Sequence, residues 1–101
     1  MGDDSRKSDS KSLKLNIKID DDVAQGVYAN LAMVVHGESE FMLDFMFLQP
    51  GRKEAKVGSR VILSPLQAKR LLSALADNVN RYERRFGAIP VGANGSKDII
   101  H

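Results

Sequence analysis

The stretch from Ser59 to Gly87, SRVILSPLQAKRLLSALADNVNRYERRFG, constrains the fold of this chain more than any other, because a short strand passes through a capped turn into one long amphipathic helix. Ser64 stands where an N-cap belongs, and Pro65 takes the first helical position, where a missing N–H costs nothing. Gln67 follows three residues after the cap to close a capping box, and Gly87 marks the far end. A helix of about 22 residues spans roughly 33 Å, enough to cross a small sheet. Ala68, Leu71, Leu72, Leu75, Val79, Tyr82 and Phe86 keep the three-four spacing of a single apolar stripe. Fully burying its large members contributes on the order of 10 kcal/mol before the ordering entropy is subtracted, so the stripe demands a partner surface. The opposite face carries Lys69, Arg70, Ser73, Asp77, Arg81 and Arg84, with Arg85 at its flank.

Upstream, Leu13, Leu15, Ile17 and Ile19 alternate with Lys14, Asn16, Lys18 and Asp20, the period of a half-buried strand that ends at Asp20 to Asp22. YANLAMVVHG reads as a second strand, HGES as a turn, EFMLDFMFLQ as a third strand and KVGSRVIL as a fourth after the loop PGRKEAK. The expected fold is therefore α+β: a four-stranded antiparallel β-meander followed by one long C-terminal amphipathic helix packed on one sheet face. Residues 1–12 read as a disordered N-terminal arm, 13–89 as a single α+β domain and 90–101 as a flexible C-terminal tail.

An odd-length turn around Gly37 places Leu31, Met33 and Val35 with Phe41, Leu43, Phe45, Phe47, Val61 and Leu63 on the face expected to meet the helix. The other face then presents Tyr28, Asn30, Val34, Met42, Asp44, Met46, Leu48, Arg60 and Ile62, with Ala32, His36 and Glu40 between them. That set is too apolar for a solvent face, which predicts a subunit or partner interface there. Asp44 and Arg60 are expected to pair on it.

With 101 residues and polar ends, roughly 75 residues remain to build a core, and a domain that small gains from oligomerisation. The absence of cysteine leaves no disulfide and no thiolate metal site. No apolar run reaches the length of a membrane span, and the acidic, hydroxyl-rich start is unlike a secretory signal, so a soluble cytoplasmic domain is expected. A formal net charge of +2, with both signs interleaved, does not by itself imply nucleic acid.

Chemistry is sparse. His36, Glu38 and Glu40 straddle a turn, which reads as a solvated hairpin tip rather than a metal set. Asp20 to Asp22 lack the glycine and distal glutamate of a calcium loop. His36, Asp44 and Ser39 or Ser59 have no nucleophile elbow or oxyanion motif around them. No glycine-rich phosphate loop is present, so neither an enzyme nor a cofactor is expected. The competing reading is nucleic-acid binding through Lys69, Arg70, Arg81, Arg84 and Arg85, joined by Arg52, Lys53 and Lys56. Asp77 and Glu83 interrupt that basic face, and a solubilising role is its plainer explanation.

The elements YAN, EF-x-LDF, SR-x-x-LSP and AK-x-LL-x-AL-x-DN-x-x-x-YE-x-x-FG, spread over about Leu13 to Ile89, resemble a small bacterial family, domain of unknown function three-four-six-seven. The resemblance implies a bacterial source and a cytoplasmic home, and it gives weight to Tyr28, Asn30, Asp44, Arg60, Asn78 and Tyr82 without assigning them roles. By fold analogy the chain is also similar to the export chaperone SecB, an oligomer that binds unfolded polypeptide, although SecB-type chaperones are acidic. The expected function is a non-enzymatic assembly module that forms a homo-oligomer through the helix-free sheet face.

Overall fold

Ser64 caps the long helix as its position predicts: in the computed structural model its Oγ accepts the Gln67 N–H at 3.2 Å, and Pro65 begins the helix. The structure describes residues 14–92 and 99–100. The elements in chain order are a single helical turn α1 (Asp21–Ala24), strands β1 (Leu31–His36), β2 (Phe41–Leu48) and β3 (Ala55–Leu63), the helix α2 (Pro65–Phe86) and a two-residue strand β4 (Ile99–Ile100). At its far end α2 stops where Gly87 takes φ +100°, a conformation disfavoured for residues with a side chain. The Gly87 N–H donates to the Glu83 carbonyl, and the Glu83 side chain accepts the Ile89 N–H at 2.8 Å, which turns the chain out of the helix.

Strands β1, β2 and β3 form the expected antiparallel meander, and the sheet order is β3-β2-β1-β4, with β4 parallel to β1. The β2–β3 connection is closed by the Arg52 N–H on the Gln49 carbonyl at 3.0 Å, with Pro50 and Gly51 between them and Gly51 at φ +82°. Proline followed by a positive-φ glycine is the signature of a type II turn. The strand expected over Leu13 to Asp20 does not form: residues 14–20 carry no ladder, and Leu13 lies outside the described residues. Its chain end is diverted, because the Asp20 carbonyl accepts the Val23 and Ala24 N–H groups and starts α1. The edge of β1 is instead bordered by β4 at Ala32 and Met33. The expected arm over 1–12 lies outside the described residues, as do residues 93–98 and 101 of the expected tail.

The register also departs from expectation. Four residues, Gly37 to Glu40, separate the hairpin partners His36 and Phe41, and the Gly37 N–H closes the turn on the Glu40 carbonyl at 2.9 Å. An even loop pairs odd residues of β1 with even residues of β2. Leu31, Met33 and Val35 therefore share a face with Met42, Asp44 and Met46, while Ala32, Val34 and His36 join Phe41, Leu43, Phe45 and Phe47. A second register change follows in β3, where Phe45 faces Ser59 but Met46 faces Val57, leaving Gly58 as an extra residue in a bulge.

The first turns of α2 border β3, where Gln67, Arg70, Leu71 and Ala74 line an open groove with Leu43, Phe45, Val61 and Leu63 of the sheet. Leu71 is the one large member of the apolar stripe in that groove. Leu72, Leu75 and Phe86 remain 69%, 56% and 65% exposed, and α2 buries no residue fully. Among the described residues, the expected covering of the stripe is not seen beyond Leu71. Because Ser64 satisfies an otherwise orphaned N–H, Ser64→Ala is expected to lower stability by about 1 kcal/mol in urea unfolding, with an unchanged denaturant slope.

Candidate functional site

The helix-free face is organised around the middle strand, where the register sets Asp44 between Met33 of β1 and Arg60 of β3. Arg60 grips the carboxylate in a bidentate fork, Nε donating to Oδ1 at 2.7 Å and Nη2 to Oδ2 at 2.8 Å. Asp44 is 1% exposed, whereas the Arg60 side chain is 54% exposed, so the guanidinium covers the carboxylate and keeps its own far side in water. The hydrogen bonds from Arg60 hold the Asp44 carboxyl below the usual carboxylate range, against burial that pushes it up, with the positive charge of Arg60 adding to the lowering. The same contact raises the Arg60 guanidinium. Arg60 occupies one acceptor position on each Asp44 oxygen, and the pair acts as a cross-strand register lock.

Met42, Asp44, Met46, Leu48, Arg60 and Ile62 share this face as the sequence predicts. Val34 does not, because it faces Leu43 on the other side. Met33 and Val35 take its place, and the bulge brings Val57 opposite Met46. Asn30 is a structural clamp at the end of β1: its Nδ2 donates to the Leu48 carbonyl at 3.0 Å and its Oδ1 accepts the Leu48 N–H at 2.9 Å, so a side-chain amide extends the ladder. Tyr28 does not join the helix-free face as expected: it sets its ring edge-on at 6.0 Å to Phe47, which belongs to the face shared by Phe41, Leu43 and Phe45. Asn78 donates to the Ala74 carbonyl within α2 and Tyr82 lies against Phe86 at 4.9 Å, so both highlighted residues contact their own helix. Met33 and Val35 hang on the parity of the hairpin loop, which the sequence does not state, whereas the glycine in mid-strand was a signal for Val57.

The basic residues of α2 do not form a uniform row. Arg70 borders the apolar groove beside Leu71, and the Arg85 guanidinium sits 5.2 Å from the centre of the Phe86 ring, while Lys69, Arg81 and Arg84 lie elsewhere on the exposed helix surface. His36 stacks on Phe41 at 5.3 Å, across the sheet from Asp44, so a His36–Asp44 dyad does not assemble. Among the described residues, no group of three or more potential ligands could hold a metal ion, and no helix is long and apolar enough to cross a membrane.

The Asp44 pair sets a pH dependence. Because the folded carboxyl lies below its unfolded value, its stabilisation is complete above the ordinary carboxylate pKa of about 4 and is lost as pH falls through the depressed folded value. Asp44→Asn is therefore expected to be less stable than the wild type at pH 7, and the gap in urea midpoint should close progressively below about pH 4.

No curated protein and no solved structure matches this chain. Residues 1–90 match the model of DUF3467, described as a protein of unknown function, and that span includes Asn30, the Asp44–Arg60 pair, the Ser64 cap and Gly87. The chain belongs to the DUF3467 family.

Proposed function

We propose that this protein is a non-enzymatic assembly module, a homo-oligomer in which subunits supply the core that each chain lacks. The reading is carried by one observation: the apolar stripe of α2 is uncovered along its length, from Leu72 to Phe86. Among the described residues only Met46 is a buried hydrophobic side chain, which is too little burial to offset the cost of ordering a chain of this size. A second copy is the occupant of choice because every copy carries both halves of the contact. Each presents an uncovered stripe on α2 and a half-covered aromatic sheet face with Phe45, Phe47 and Val61. A two-fold arrangement that lays the stripe of one copy against the sheet face of the other covers both sets at once. The helix-free face, with Val57 and Ile62 exposed around the Asp44–Arg60 lock, supplies a second patch for higher assembly or for another protein.

Light scattering after size exclusion tests this reading: the wild type should elute as a dimer or larger at micromolar concentration, and a strict monomer would refute it. Leu75→Glu, in mid-stripe, should weaken assembly by at least about a hundredfold, since it removes roughly 2–3 kcal/mol of burial and leaves a charge in its place. Lys69→Glu, on the polar side, should leave assembly unchanged. A monomer that suppresses aggregation of a denatured client would instead favour the chaperone-like reading.

A further inference from the structure

We propose that the segment Lys14–Asp20 of one copy adds a strand to the outer edge of β3 in a second copy. The inference rests on the homo-oligomeric reading above and says how the copies are joined. Two complementary deficits stand in the same chain. The first is a strand without a ladder: Leu15, Ile17 and Ile19 alternate with Lys14, Asn16 and Lys18, yet no strand among the described residues pairs with 14–20, and Ile17 is 83% exposed. Strict alternation with one apolar face is the pattern of a strand that covers a core from one side, and it has no use in a solvated linker.

The second deficit is an edge without a strand. β3 ends the sheet order and is the longest strand, nine residues from Ala55 to Leu63, and no strand among the described residues pairs along its outer side. An exposed edge of that length presents a row of backbone donors and acceptors, the usual template for a strand from another chain. Seven extended residues reach about 23 Å, within the roughly 30 Å of a nine-residue strand.

The path of the chain brings these features together. The connection into β1 crosses the end of the sheet: Asn30 is clamped to Leu48, Tyr28 lies on Phe47, and Val27 reaches β3, where a Cβ on Gly58 would come within 2.8 Å of Val27 Cγ1. The segment before it therefore arises near β3, and α1 then holds its exit, with the Asp20 carbonyl bonded to Val23 and Ala24 and the Gly26 N–H to the Val23 carbonyl. Among the described residues of its own chain, nothing pairs with the segment beyond this turn. Reciprocal exchange between two copies satisfies both strands and both edges and leaves neither over.

The chain has no cysteine, so an engineered pair reports cleanly. Full-length Ile17→Cys protein would be mixed, under mild oxidation, with a chain of different tagged mass carrying Val57→Cys, Ser59→Cys or Val61→Cys. A mixed disulfide dimer is expected for at least one of the three, and Ile17→Pro, which removes a ladder N–H, should raise the dissociation constant at least about tenfold. Absence of any mixed link, or wild-type assembly by Ile17→Pro, would each overturn the proposal. A wild type that dimerises, is split by Leu75→Glu and ignores Ile17→Pro would overturn strand exchange alone. A monomeric wild type would overturn the assembly reading with it.

Discussion

Helix α2 borders its own sheet through Gln67, Arg70, Leu71 and Ala74, while Leu72, Leu75, Val79, Tyr82 and Phe86 remain exposed. Hydrophobic burial is the dominant favourable term in folding, and an amphipathic helix owes most of its stability to what its apolar face packs against. Among the described residues no surface covers the α2 stripe from Leu72 to Phe86. Ser64, Pro65 and Gly87 define where α2 starts and stops, but local capping contributes only about 1 kcal/mol at each end and does not hold 22 residues in place. Under the proposed assembly, a second copy covers that stripe, and stability and assembly are then joined in one equilibrium.

The sheet has a different source of order. With few deeply buried apolar side chains, its register rests on polar fixtures: the Asp44–Arg60 fork across β2 and β3, the Asn30 amide on the Leu48 backbone, and the Gly37–Glu40 turn. A carboxylate with 1% exposure is tolerated because a guanidinium from the directly opposite residue satisfies it. A slip by one residue would separate that pair and strand the charge, so the lock penalises the wrong register more than it strengthens the right one. Of the motif residues, Asn30, Asp44, Arg60 and Asn78 each make side-chain hydrogen bonds within the chain.

Legibility followed the range of the interactions involved. The helix could be read residue by residue because capping and three-four spacing act within a turn or two. The three antiparallel strands were legible from alternation and turn residues, and the Asp44–Arg60 contact from their matching positions. The grouping of β1 was not, because Val34 and Met33 exchange faces on the parity of a four-residue loop whose sequence, Gly-Glu-Ser-Glu, does not state its length. Leu15, Ile17 and Ile19 have the alternation of a strand, but alternation says nothing about which edge is available to pair with it.

The amino-acid sequence alone determined the local elements: the ends of α2, its apolar stripe, the polar–apolar alternation of the strands and the opposite charges of Asp44 and Arg60. Tertiary structure decided which faces those elements turn to one another. It set the hairpin register, placed Gly58 in a bulge beneath Val27, bordered β1 with Ile99–Ile100 and left the α2 stripe from Leu72 onward exposed. The physical reason is one of distance. Periodicity and capping are settled between neighbours in the chain, whereas the partner of an apolar face is settled by non-directional burial among residues far apart in sequence.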